Sequence, residues 1–377
     1  MLKVEQNLGL SGEFRVVVRR ADGSIKLDTG TQPNLILDNG LRNYLDMKPV
    51  NNKGEEQTTT SDIMSACVVG VGNKAPDKTD IGLQSIVSLS QERRENDYGV
   101  EYPETGKHEG YAKLWYKYKF VFTGISNKNI TELGLAYGSS TETYTLFTRA
   151  LVKDSSGSPI TVTVLAGEIL EIIYQINVYV DITKKTGSFT LTTVGNGNDV
   201  ESTFDYFIQP YALSSYNLSY PIQLDGYNSN TLTWGVKEGD NALTGDYALD
   251  SDAYRSVTYK MTTDADITNS LQSVIAGSSS YSGDNTTNKA SDRYQTATIV
   301  DSSIATGRLA KKFAYGIYTH NHENGIRVYR VKIVQNNGTM LNVLVVLKNR
   351  ANGQGIKKTN RQVWEHELSY TLTRWED

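Results

Sequence analysis

The chain is poor in cysteine, proline and histidine, with one, seven and four respectively among 377 residues. A single thiol, Cys67, excludes intramolecular disulfides and every zinc or iron–sulfur site built on several cysteines. No segment approaches the ~18 apolar residues of a membrane-spanning helix, so no membrane insertion is expected. The opening MLKVEQNLGLSGEF has no charged start followed by a long apolar run, so no secretory signal is expected. Charge of one sign is also missing. Lys and Arg number 38 against 42 Asp and Glu, a net charge of −4 dispersed along the chain, and nucleic acid is not an expected partner. Hydrophobic residues make up 38%, below the usual globular share but well above that of a disordered chain. At ~150 residues per domain the length predicts two folded domains.

Phenylalanine and tryptophan are scarce, at 8 and 4, whereas tyrosine reaches 24. Each buried phenol needs a hydrogen-bond partner, so this excess among Ser, Thr, Asn and Gly suits half-exposed strands and polar interfaces. High β propensity alone accounts for it equally well.

Period-2 alternation dominates. Glu13 to Arg20, Trp115 to Phe122, Glu168 to Val180, Gly325 to Val334 and Glu367 to Trp375 all read as strands. In the third of these, Ile172, Tyr174, Ile176, Val178 and Val180 share one face, while Glu171, Ile173, Gln175, Asn177 and Tyr179 share the other. Asp22-Gly23, Ser156-Gly157 and Asn337-Gly338 predict hairpin turns. Two short helices are expected, over Asn34 to Leu45 with Asp38 as cap and over Asp264 to Ile275 with Asp266 as cap. Polar stretches at Asn51 to Ser61, Gln91 to Gly110 and Gly277 to Asp292 read as long loops.

The fold class is therefore mainly β: two antiparallel β-sandwich-like domains, residues 1–181 and 182–377, with a few short helices. Ile160 to Tyr179 can be laid over Ile356 to Trp375 at a constant offset of 196. An internal duplication explains this, and so does the shared composition of strand-rich segments.

No phosphate-binding, dinucleotide or nucleophile-elbow motif is present, so no cofactor, catalytic residue or enzymatic activity is expected. His320-Thr-His322 is the one pair with metal-ligand spacing. Its imidazoles would share a face on a strand, and a symmetry axis could multiply them, but two ligands alone do not complete a site. This pair resembles the His-x-His iron sites on the axes of some phage fibres and spikes. Asp250/Asp252, Asp264/Asp266 and Glu365/Glu367 sit in no calcium-loop framework and read as solvated surface. Cys67, flanked by Val68 and Val69, reads as a small buried hydrophobe.

Two groups of motifs carry a resemblance. The first is Thr29 to Leu41 (TGTQPNLILDNGL) followed by Val69 to Pro76 (VGVGNKAP). The second runs through Ile130 to Leu135 (ITELGL), Leu146 to Leu151 (LFTRAL), Gly157 to Val162 (GSPITV) and Gly167 to Tyr174 (GEILEIIY). In this order they resemble a pattern in virion tail proteins of tailed bacteriophages, most nearly the non-contractile tail sheath or tail-fibre-like proteins of short-tailed phages. The second half carries only an echo, in Ile356 to Thr359 and Leu368 to Trp375.

The resemblance implies a non-enzymatic sheath, collar or tube-covering component. It would be assembled in the host cytoplasm, resident in the virion tail, and able to meet a host receptor. Its partners would be further copies of itself in a ring and other tail proteins such as tube, adaptor or appendage. The interface residues expected in the long loops are Tyr98, Tyr102, His108, Tyr281 and Tyr294. Two rival readings are a carbohydrate-binding adhesin and, behind it, a glycan depolymerase using a carboxylate pair. The adhesin would stack sugars on Trp115, Trp234, Trp364, Trp375 or exposed tyrosines, although large aromatics are more often core.

Overall fold

The computed structural model describes residues 2–45, 47–58, 62–103, 110–193, 200–211, 213, 215, 222–224, 232–235, 296–315, 322–326, 328–335, 338–353, 356–358 and 364–375. The chain opens with β1 (Leu2–Arg19), β2 (Ile25–Ile36), α1 (Asp38–Tyr44), β3 (Ala66–Gly70), β4 (Ile86–Ser90), β5 (Arg93–Glu101) and β6 (Tyr111–Phe122). Short strands follow: β7 (Lys128–Ile130), β8 (Glu132–Tyr137), β9 (Thr145–Leu146), β10 (Thr148–Leu151) and β11 (Val162–Val164). Next come β12 (Ile169–Asp181), β13 (Lys185–Thr193), β14 (Val200–Tyr211), β15 (Ile222–Leu224) and β16 (Leu232–Gly235). The last group is β17 (Thr296–Ser303), β18 (Arg308–Tyr315), β19 (His322–Ile326), β20 (Val328–Gln335), β21 (Gly338–Asn349), β22 (Ile356–Lys358) and β23 (Trp364–Arg374).

The fold is mainly β, and α1 is the one helix among the described residues. It lies inside the stretch expected to be helical, but its cap differs. Leu37 occupies the N-cap position with no side-chain cap bond, and Asp38 is instead the first helical residue, where its charge favours the helix N-terminus. The helix expected at Asp264 to Ile275 lies outside the described residues. Among those residues no helix is long and apolar enough to cross a membrane.

β1 organises the larger sheet. Its residues 8–19 pair antiparallel with β12, residues 12–19 pair antiparallel with β2, and residues 2–10 pair parallel with β23. Beyond these neighbours run β23–β18–β17, β12–β6–β5 and β2–β10–β8–β3–β4. A second sheet has the order β13–β14–β21–β20–β15, with β16 also on β20. Strands past residue 182 thus fall in both sheets, and hydrogen bonding crosses the expected 181/182 boundary through β23.

The alternation read from the sequence is realised in the packing. Leu170, Ile172, Tyr174, Ile176, Val178 and Val180 on β12 are fully buried, and they face the same core as Leu10, Phe14, Val16 and Val18 of β1. A one-residue slip would turn all six β12 side chains to water, at roughly 1.5–3 kcal/mol each, so the register is strongly specified. The turns at Gly23 and Gly157 form as expected, with φ of +84° and +85°, a region that glycine enters freely. β20 and β21 pair from Gln335 and Gly338 outward, while Asn337 is outside the described residues.

The stretch Gln91 to Gly110 departs from expectation. Arg93–Glu101 is not loop but β5, paired with β6 along its length. Its own side chains are mostly exposed, so the backbone pairing offered by the edge of β6, and not an apolar face, makes it a strand.

At the 196-residue offset, Tyr174 and Tyr370 are both fully buried. Glu171 and Glu367 each accept from an arginine, Arg19 at 2.8 Å and Arg308 at 2.6 Å. The two strands nevertheless pair with β1 in opposite senses, β12 antiparallel and β23 parallel.

Candidate functional site

Two polar assemblies stand out, one buried and one on the surface. The buried one joins the two motif groups. Arg149 on β10 is 1% exposed, yet all of its guanidinium nitrogens are used. Nε and Nη2 donate to Glu132 Oε2 at 2.9 and 2.7 Å, Nη1 to Asp80 Oδ2 at 2.6 Å, and Nη2 also to the Lys74 carbonyl at 3.1 Å. Glu132, on β8 and fully buried, turns its other oxygen to the backbone, accepting from Gly72 N at 2.9 Å and Ser85 N at 3.1 Å. Position 72 must lack a side chain, because a Cβ there would overlap the Glu132 carboxylate.

Further bonds tie the same motifs. Gln32 exchanges two bonds with the Lys153 backbone, at 2.6 and 3.0 Å, and Leu37 N donates to Phe147 O at 2.9 Å. Gly40 of α1 sits against the Phe147 carbonyl, where a Cβ would come within 2.7 Å of the oxygen. The Tyr174 hydroxyl, buried at the centre, bonds Thr148 Oγ1 at 2.6 Å and accepts from Asn34 Nδ2.

Burial alone would lower the pKa of Arg149, but its bonds to Glu132 and Asp80 outweigh burial and raise it. Burial would likewise raise Asp80, and the Asp77 amide and Arg149 together carry it below the ordinary carboxylate value. A carboxylate with a depressed folded pKa contributes stability above its unfolded pKa, near ~4, and loses it as pH falls through the folded value. Stability to urea is therefore expected to drop on acidification below about pH 4. Asp80→Asn should already be weaker at pH 6 and should lose less on acidification, as denaturation midpoints across pH 3–6 would report.

The surface assembly lies on the outward face of β2, β1, β12, β6 and β5, a groove of about 400 Å³. It exists because of a bulge. Between Arg94, opposite Lys119, and Asp97, opposite Lys117, β5 carries one extra residue, Glu95 and Asn96 standing against Tyr118 alone, and Glu95 adopts φ +52° there. That turn lifts Glu95 and Asn96 into one wall of the groove, against Glu13 and Arg15 of β1.

Every cation in the groove has a carboxylate. Lys119 binds Glu95, Lys117 Nζ is 3.2 Å from Asp97, and Arg15 Nε donates to Asp28 at 2.8 Å. The bond to Lys119 holds the Glu95 carboxyl below its ordinary value. Next to the groove on β12, opposite Trp115, Asn177 has no exposed surface. It accepts from Gln175 at 2.7 Å and donates to Glu13 at 3.0 Å and Ser11 at 3.2 Å.

Aromatic rings continue this face. Trp115 rests over Gly99, and Lys117 Nζ lies 5.1 Å from its ring centre. Trp375 stacks on Tyr179 at 4.3 Å and meets Tyr111 at 4.8 Å. Both tryptophans are half-buried and not core as expected: Trp115 holds an odd-numbered position of β6 that alternates away from the apolar face, and Trp375 follows the end of β23, against Tyr179 and Tyr111. The side chains of Trp234 and Trp364 are outside the description.

Tyr98 is 47% exposed on β5 and stacks on Tyr116 at 5.9 Å, and Tyr102, just past β5, is 39% exposed. They lie on a paired strand and its end, not in the expected loop. His108, Tyr281, Tyr294 and His320 lie outside the described residues. His322 begins β19, its backbone opposite Lys358. Among the described residues no group of three or more His, Cys, Asp or Glu could hold a metal. Cys67 is buried, and burial pushes its thiol pKa up, as expected of a packing residue. Glu367 is buried against Arg308 and is not solvated surface.

Sequence reasoning named the motif residues but not their mutual contacts, and it missed the groove. Glu13, Arg15, Lys117 and Gln175 were legible as outward strand positions, whereas their adjacency depends on strand order and register. Comparison of the chain with family models, curated proteins and solved structures returns no match.

Proposed function

We propose that this chain is a structural component of a bacteriophage tail, a sheath, collar or tube-covering protein that assembles as a homo-oligomer beside other tail proteins. The observation that carries the reading is the meeting of the two motif groups. Gly72 and Lys74 from the first bind Glu132 and Arg149 from the second, and Gln32 and Leu37 from the first bind Lys153, next to the second, and Phe147 within it. Residues that resemble tail proteins thus take part in the buried contacts that tie this part of the fold together, so the likeness includes framework positions. In a ring of identical copies the contacts between neighbours would be head-to-tail.

Mass spectrometry of purified virions, with copy number taken relative to the portal, tests the proposal together with sedimentation of the isolated protein. Many copies per virion and a ring-sized species are expected. A strictly monomeric protein absent from virions overturns the reading.

A further inference from the structure

We infer that the outward groove on β1, β12, β6 and β5 binds a neutral oligosaccharide. The site is made by one chain and does not depend on tail assembly. Its charges decide the ligand class. Glu13, Glu95 and Asp97 balance Arg15, Lys117 and Lys119, and each of those cations already has a carboxylate partner. An ionic ligand would have to displace one of those partners, exchanging charge for charge. A hydroxyl donates and accepts at once, so it adds to paired groups without breaking them.

Part of the groove is also preorganised. Asn177, fully buried and beside Gln175 on the same face of β12, bonds both Gln175 and Glu13, so these two groups are fixed before a ligand arrives. Ile173 supplies an apolar patch in the lining and Trp115 an aromatic surface beside it, which suit the C–H faces of pyranose rings. Outward positions recur every ~6.8 Å along a strand, so Trp115 and Tyr111 lie ~14 Å apart on β6, a distance a short oligosaccharide spans. The groove volume of about 400 Å³ falls within the range of small-ligand sites.

Titrating the full-length protein with maltohexaose, cellohexaose, mannohexaose and chitohexaose tests this, with hexagalacturonate as the acidic control. Calorimetry and tryptophan fluorescence report binding. At least one neutral probe should bind and hexagalacturonate should not. Trp115→Ala and Gln175→Ala should each weaken binding by about tenfold or more at a temperature where both variants are still fully folded by circular dichroism, so that any drop in melting temperature is kept apart from the loss of binding. Thr31→Trp, at an exposed position on the rim, should abolish binding by filling the groove. Silence from all four neutral probes, equal binding of the acidic one, or binding indifferent to all three substitutions overturns the inference.

Discussion

Arg149→Met is expected to lower the unfolding free energy by ~3–5 kcal/mol, because it strands a buried carboxylate without its cation. Glu132 would keep the Gly72 and Ser85 amides on Oε1, but Oε2 would lose both guanidinium bonds in a site closed to water. Asp80, still held by Lys74 and the Asp77 amide, suffers less. The urea midpoint should fall with little change in slope, since the surface exposed on unfolding stays the same.

The partner change separates charge from packing. Glu132→Gln retains an oxygen for the two amides and removes the negative charge, so Arg149→Met combined with Glu132→Gln should recover part of the loss. Removing both charges of a buried pair is far milder than removing one. A loss of only a few tenths in the single variant would show that the pair is not what joins the two motif groups. Hydrogen exchange across residues 71–85 gives a local readout, because that loop is held by Glu132 and Arg149.

Tyr370→Ala is the second large expectation, at ~3–5 kcal/mol for an emptied aromatic site. Tyr370 is fully buried on β23, and its hydroxyl donates to the Tyr44 carbonyl at the end of α1, 326 residues away in sequence. Helix ends leave carbonyls in need of donors, and Ser302 reaches the next one, at Leu45, at 3.3 Å. Arg374 adds bonds to Ile36 O, at 2.6 Å, and to Asp38 at the start of the helix. Tyr370→Phe should cost only ~1–3 kcal/mol, the penalty of one buried group left unpaired. In the alanine variant, amide exchange at Leu41 and Leu45 should accelerate. Undisturbed exchange there would mean that β23 merely lies beside the first part of the chain without stabilising it.

Legibility differed by element for physical reasons. β12 was readable to within a residue or two, because a strand with one core face records its burial in a period of 2, and every even position from Leu170 to Val180 is apolar or aromatic. β5 was not readable. RRENDYGVE has no apolar face, and it becomes a strand only because β6 presents unpaired backbone groups beside it. The helix at Asp38 was legible from its leucine spacing, but its cap was not, since Asp38 is drawn to Arg374 from the far end of the chain. Trp115 and Trp375 were misjudged as core because burial statistics for a residue type say nothing about which face of a strand it occupies.

The amino-acid sequence by itself determined the class of the fold, the faces of its long strands and the positions of its glycine turns. These follow from side-chain alternation and local backbone preference, which act over a few residues. Only the tertiary structure decided that Arg149 meets Glu132 and Asp80, that β23 runs parallel to β1, and that a bulge in β5 opens a polar groove. Such contacts join residues tens to hundreds of positions apart, and strand pairing sets them through backbone hydrogen bonds that every residue type except proline can make.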